Sequence, residues 1–237
     1  MWPYACPPTG ESTTGLRKLV AHALIHLGYG FELSSHTVAV EALALTACFY
    51  NFLHKYLDDP SYTQPAPYSS TSPLEILNKI ARDERFDGLF DKQGSRNIAT
   101  LFEKREDAVL EHWNAWEISD PKEQFEASQR AAVALLMATP RPANDKHDFF
   151  IVHLLTSSHA VRILLPLIPA KWHVPLVRQW WLFTIAVYIA QLRPPIEMGR
   201  ITDYNLRGRD WELVNDRALN SKHATDAHHV KGPLSPL

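Results

Sequence analysis

The stretch DKHDFFIVHLLTSSHAVRILLP, Asp145 to Pro166, decides how the chain folds. It is the most apolar segment of helix length that still carries three histidines, His147, His153 and His159. A histidine among Phe, Ile, Val and Leu must be neutral, hydrogen-bonded or bound to something. Lys146 and His153 are seven residues apart and share nearly one face of such a helix, with Ser157 a turn further, while His147 and His159 point elsewhere. His153 is then either a core histidine bonded to a carbonyl or a member of a site.

Outward from this segment the chain predicts helices in both directions. Downstream, Pro166, Pro169 and Pro175 punctuate a turn into a second apolar helix, Leu176 to Leu192, and the two make a buried hairpin. A last helical stretch starts at Asp210, carries Asp226 to Lys231, and ends at Gly232-Pro233. Upstream, Asp120-Pro121 opens a helix that ends before Pro140, and Asn97 to Trp116 has Leu101, Val109 and Trp113 inward with Glu103 to Glu106 outward. Ser72, Pro73 and Glu75 form a capping box for a helix from Leu74 to about Asp83. Between Asp58 and Thr71 three prolines enforce a loop. Ser34-Ser35 caps a long helix, His36 to about Leu57, with a stripe at Val38, Ala42, Leu45, Phe49, Phe52 and Leu53. The first helix runs from Leu16 to Leu27 and stops near Gly28 or Gly30. No segment has strand periodicity and none repeats. The expected fold is all-α, a single irregular multi-helix bundle over residues 16–231, with a Pro-rich lead at 1–15 and a tail at 232–237.

Composition narrows the function classes. A chain of 237 residues with 46% hydrophobic and 21% charged residues buries a substantial core. A formal charge of -2 gives no electrostatic case for nucleic acid or an anionic membrane. The two cysteines, Cys6 and Cys48, make neither a disulfide framework nor a metal spacing, so a reducing compartment, the cytoplasm, is expected. The first residues have no basic start followed by an apolar core, and the longest uncharged apolar run, Trp180 to Leu192, is short for a bilayer span. Neither Gly-x-Gly-x-x-Gly nor a Walker pattern is present, and no Gly-x-Ser-x-Gly marks an acyl hydrolase.

Three groups could carry chemistry. His22 and His26, at i and i+4, project together, which is how one helix offers two imidazoles to a metal; two unrelated histidines have the same spacing. The central helix offers His153. Near the C-terminus His228 and Lys231, at i and i+3, can converge on one point or can simply be solvated.

Taken in order, HALIHLGYGFE (His22–Glu32), EALAL (Glu41–Leu45), DFFIVHLLTS (Asp148–Ser157), VYIAQLRP (Val187–Pro194) and DAHHVK (Asp226–Lys231) resemble the successive motifs of the questin oxidase-like family. The resemblance runs from about Leu16 to Lys231. It implies a Baeyer–Villiger-type monooxygenase or ring-cleaving oxygenase of fungal aromatic polyketide pathways, acting with dioxygen on a polycyclic, anthraquinone-like ketone. It further implies NADPH and non-haem iron as cofactors and no flavin. Carried over residue by residue, His22, His26, His153 and His228 become iron ligands, His26 and His153 also active-site bases, and Lys231 a carboxylated lysine, with Lys146 the alternative. Relatives carry a further helical half with its own Asn-His-x-x-His-like motif, so the chain is expected to match the family's C-terminal half, with a second chain as a source of the rest. The competing expectation is a truncated, non-catalytic helical relative or partner subunit.

Overall fold

A computed structural model of the chain describes residues 21–48, 50–139 and 147–234. Its helices are α1 (Ala21–Glu32), α2 (His36–Cys48), α3 (Lys55–Asp58), α4 (Pro73–Ala81), α5 (Asn97–Asn114), α6 (Pro121–Met137), α7 (Phe149–Leu164), α8 (His173–Ala190), α9 (Gly199–Thr202), α10 (Trp211–Asn220) and α11 (Ala227–Leu234). Among the described residues there is no strand; an isolated bridge joins Ser70 to Trp116. The fold is all-α, as the periodicities predict.

The central helix starts where its sequence provides a cap. The Asp148 carboxylate accepts from the amides of Phe150 at 2.7 Å and Ile151 at 3.1 Å, satisfying donors that the first turn leaves orphaned. Eleven of the sixteen residues of α7 are buried, because α1, α6, α8 and α11 all pack on it. Its partner α8 is buried along Trp180 to Ala190, which completes the expected hairpin. That helix begins at His173, ahead of Pro175, since a proline in the first turn removes an amide that has no helical partner there. Asp120 caps α6 and Ser72 caps α4 as their sequences predict.

Three boundaries differ from expectation. The first helix passes through Gly28 and Gly30 and ends at Glu32, because both glycines lie in close helix contacts. A Cβ on Gly28 would stand 2.5 Å from Ala160 Cβ on α7, and one on Gly30 would stand 2.9 Å from the Ala39 nitrogen on α2. The second helix stops at Cys48, where a run to Leu57 is predicted. Asn51 instead accepts from the Leu53 amide at 3.0 Å and caps a new 3-10 turn, Phe52–His54, ahead of α3. Of the predicted stripe, Ala42 and Leu53 are buried, Val38 and Leu45 half-buried and Phe52 largely exposed; Phe49 lies outside the described residues. The C-terminal stretch is two helices, α10 and α11, and α11 continues through Gly232-Pro233. No single described helix is long and apolar enough to cross a membrane.

Candidate functional site

The absence of a side chain at Gly28 lets α1 come down onto Ala160 of α7, and that approach sets the distance between the imidazoles the two helices carry. His22 and His26 lie one turn apart on α1 with ring centroids 6.5 Å apart, and the His22 ring stands 4.9 Å from that of His153. His153 is buried, with the Phe149 ring edge-on at 5.0 Å. Its Nδ1 lies 2.8 Å from the Phe149 carbonyl oxygen, so Nδ1 donates, and in the neutral form of the ring the lone pair would sit on Nε2.

Lys231 reaches this cluster from α11, which packs on α7. Its Nζ sits 4.7 Å above the Tyr29 ring, and burial pushes its pKa below the ordinary lysine value. The pKa of His26 is also lowered. Burial is the main cause and the positive charge of Lys231 acts in the same direction, while Glu41, whose Oε1 lies 3.7 Å from His26 Nδ1, pulls against both. His26 is therefore a neutral imidazole at neutral pH, on the rim of the buried cluster.

Of the five residues singled out from the sequence, His22, His26 and His153 lie together where α1 packs on α7, and Lys231 stands on α11 over the Tyr29 ring, near enough for its charge to act on His26. The side chain of His228 and all of Lys146 lie outside the described residues. The donor chemistry fits a first-row metal ion: imidazoles bind such ions, and a ligating histidine commonly donates its second nitrogen to a carbonyl, as His153 does. Among the described residues, no three or more His, Cys, Asp or Glu side chains are gathered as a metal-binding group.

Two networks escape sequence reasoning. On α7, His159 is buried and donates from Nε2 to Glu32 at 2.9 Å while its Nδ1 accepts from Arg162 at 3.0 Å; the Tyr29 ring lies 5.5 Å away. The pairing of His159 with Arg162 is visible as an i, i+3 spacing, but Glu32 is 127 residues distant. On α5, buried His112 donates from Nε2 to Asp83 at 2.8 Å and accepts at Nδ1 from the Tyr68 hydroxyl at 2.5 Å. Arg85 holds both Asp83 and Glu111. Burial raises the pKa of Asp83, yet hydrogen bonds from Arg85 and His112 outweigh it and hold the carboxyl well below its usual range. Tyr68 lies in the proline-rich loop 58–71, where no periodicity aligns it with a helix residue.

A family model described as Questin oxidase-like matches residues 10–232. The match takes in residues 10–15 of the Pro-rich lead and covers nearly the whole chain, which corrects the expected correspondence to a C-terminal half alone. No curated protein matches the chain.

Proposed function

The chain belongs to the questin oxidase-like family, and from that premise we propose that it is an oxidoreductase of secondary metabolism that uses dioxygen to insert oxygen into, or cleave, a ring of a polycyclic aromatic ketone. The observation that carries the reading is the clustering of His22 and His26 of α1 with buried His153 of α7, with half-buried Lys231 of α11 beside them over Tyr29. Groups so far apart in sequence converge only through the tertiary fold, and burial makes their chemistry differ from that in water.

In this reading His22, His26 and His153 would hold a non-haem iron with His228, and iron when bound would supply the activation of dioxygen. Carboxylation of Lys231 requires the neutral amine, and burial of Lys231 shifts it toward that form. The bond from His153 to the Phe149 carbonyl fixes the ring and its tautomer, so Nε2 is the nitrogen that can ligate. As the alternative to ligating, His26, whose pKa is lowered by burial, would accept a proton from a phenolic or enolic substrate at the rim. The Phe149 ring packs edge-on against His153. Insertion of one oxygen atom into a carbon–carbon bond sends the other to water and consumes an electron pair, which NADPH supplies.

The test is metal content by mass spectrometry together with oxygen uptake in the presence of a hydroxyanthraquinone and NADPH. The expected result is about one iron per chain, lost in His153→Ala while helicity by circular dichroism is unchanged, with uptake falling about a hundredfold or more. Trace iron that His153→Ala does not alter, with no uptake, overturns the proposal and leaves a non-catalytic helical relative or partner subunit.

A further inference from the structure

The face of α7 turned away from the histidine cluster borders a second feature. A cleft of about 710 Å³ lies between α6, the end of α7 and α9, within the size range of small-molecule sites. Phe125, Val133, Leu165 and Met198 supply its apolar lining, and the buried Phe125 ring is braced edge-on by Trp180 at 5.4 Å. Such a surface accepts a flat ring.

Charge on the cleft is unbalanced. Arg130 is paired with Glu126, but among the described residues Lys122 and Arg162 form no ion pair. The guanidinium of Arg162 is half-buried and held in place by donating to His159 Nδ1 at 3.0 Å. His159, whose other nitrogen faces Glu32, orients that guanidinium but stands between it and the carboxylate, so the two charges are not in direct contact. The third observation is independent: Gln129, also on the wall, has its Nε2 buried with no hydrogen-bond partner among the described residues. Buried amide donors are nearly always satisfied, so this one, on a residue of the cleft wall, calls for an acceptor.

We propose that this cleft binds a small aromatic anion, with Arg162 anchoring a carboxylate or comparable oxyanion, Gln129 donating to it, and Phe125 and Val133 packing on the ring. A fork of N–H donors suits a two-oxygen anion better than a point charge does. The proposal does not depend on iron or on the reaction assigned above.

Calorimetric titration of the full chain with 2-naphthoate and with neutral 2-naphthalenemethanol tests it. The naphthoate is expected to bind about tenfold or more tightly than the alcohol, and Arg162→Gln to abolish that preference. Val133→Trp, which sets an indole against the wall where the ring would pack, should weaken binding of both, and His153→Ala should weaken neither. Equal affinity for the two probes, or naphthoate binding untouched by Arg162→Gln and Val133→Trp, overturns the proposal. So does loss of binding in His153→Ala, which would put the ligand at the histidines, or displacement of naphthoate by a short poly-glutamate, which would make the cleft a peptide site. Should Arg162→Gln unfold, Lys122→Gln on the exposed rim reads the same preference, which is then expected to fall; an unchanged preference overturns the proposal.

Discussion

Gly28 shows how one residue sets a site. Replacing it with alanine improves intrinsic helix propensity by about 1 kcal/mol. The new Cβ, however, would stand 2.5 Å from Ala160 Cβ and 2.6 Å from its Cα, and a backbone carbon cannot rotate away. Overpacking of this kind costs about 1–3 kcal/mol, so Gly28→Ala is expected to lower the melting temperature, and adding Ala160→Gly to restore only part of the loss. A melting temperature at or above that of the parent would refute the close contact. Protonation gives the second residue-scale prediction. Burial is the largest cause lowering the pKa of both His112 and His26 from 6.5, so the unfolded chain binds protons below that value that the folded chain does not. Their contribution is complete above 6.5 and is lost as pH falls toward the folded values. Asp83 adds a loss of the same sign at lower pH, as its depressed carboxyl is titrated. Urea midpoints should therefore fall between about pH 7.5 and about pH 5.5, and fall less in His26→Gln; a flat profile would contradict the burial of these rings.

At the scale of elements, most of the helices were legible because cap and period agree. Asp120-Pro121, and Ser72-Pro73 with Glu75, each mark a start that the backbone takes, whereas the central helix, expected from Asp145 or Lys146, starts at Phe149 behind its Asp148 cap. Asp148→Ala removes the acceptor for two amides of a central helix and is expected to cost about 1 kcal/mol, read as a lower urea midpoint, whereas Asp148→Asn should cost less. Element ends were less legible. Gly28 and Gly30 read as stops in a one-dimensional pattern, yet they are the positions where α1 must touch α7 and α2. The stripe read along His36–Leu57 missed the break that Asn51 introduces, because a side chain that caps a new turn leaves the apolar spacing unchanged. It also did not show that Val40 and Leu43 on the other side of α2 are exposed.

At the scale of the molecule, the histidines depend on one another through the packing of three helices. In the metal-free chain, where Lys231 is unmodified, removing its positive charge in Lys231→Met takes away one of the causes that lower the pKa of His26. The titration midpoint of His26 followed by NMR is expected to move upward in that variant; an unchanged midpoint would mean that α11 does not bring Lys231 to the cluster. Sequence alone determined the helical class, the buried hairpin of α7 and α8, and the residue types able to bind or move protons. It could do so because periodicity, caps and motif order are local properties of a chain. Only the tertiary structure decided that His22 lies 4.9 Å from His153, that His159 is tied to Glu32 and His112 to Tyr68, and that Arg162 borders a cleft without an ion-pair partner among the described residues. Those distances follow from how closely helices approach, which depends on side chains far apart in the chain and leaves no periodic trace in it.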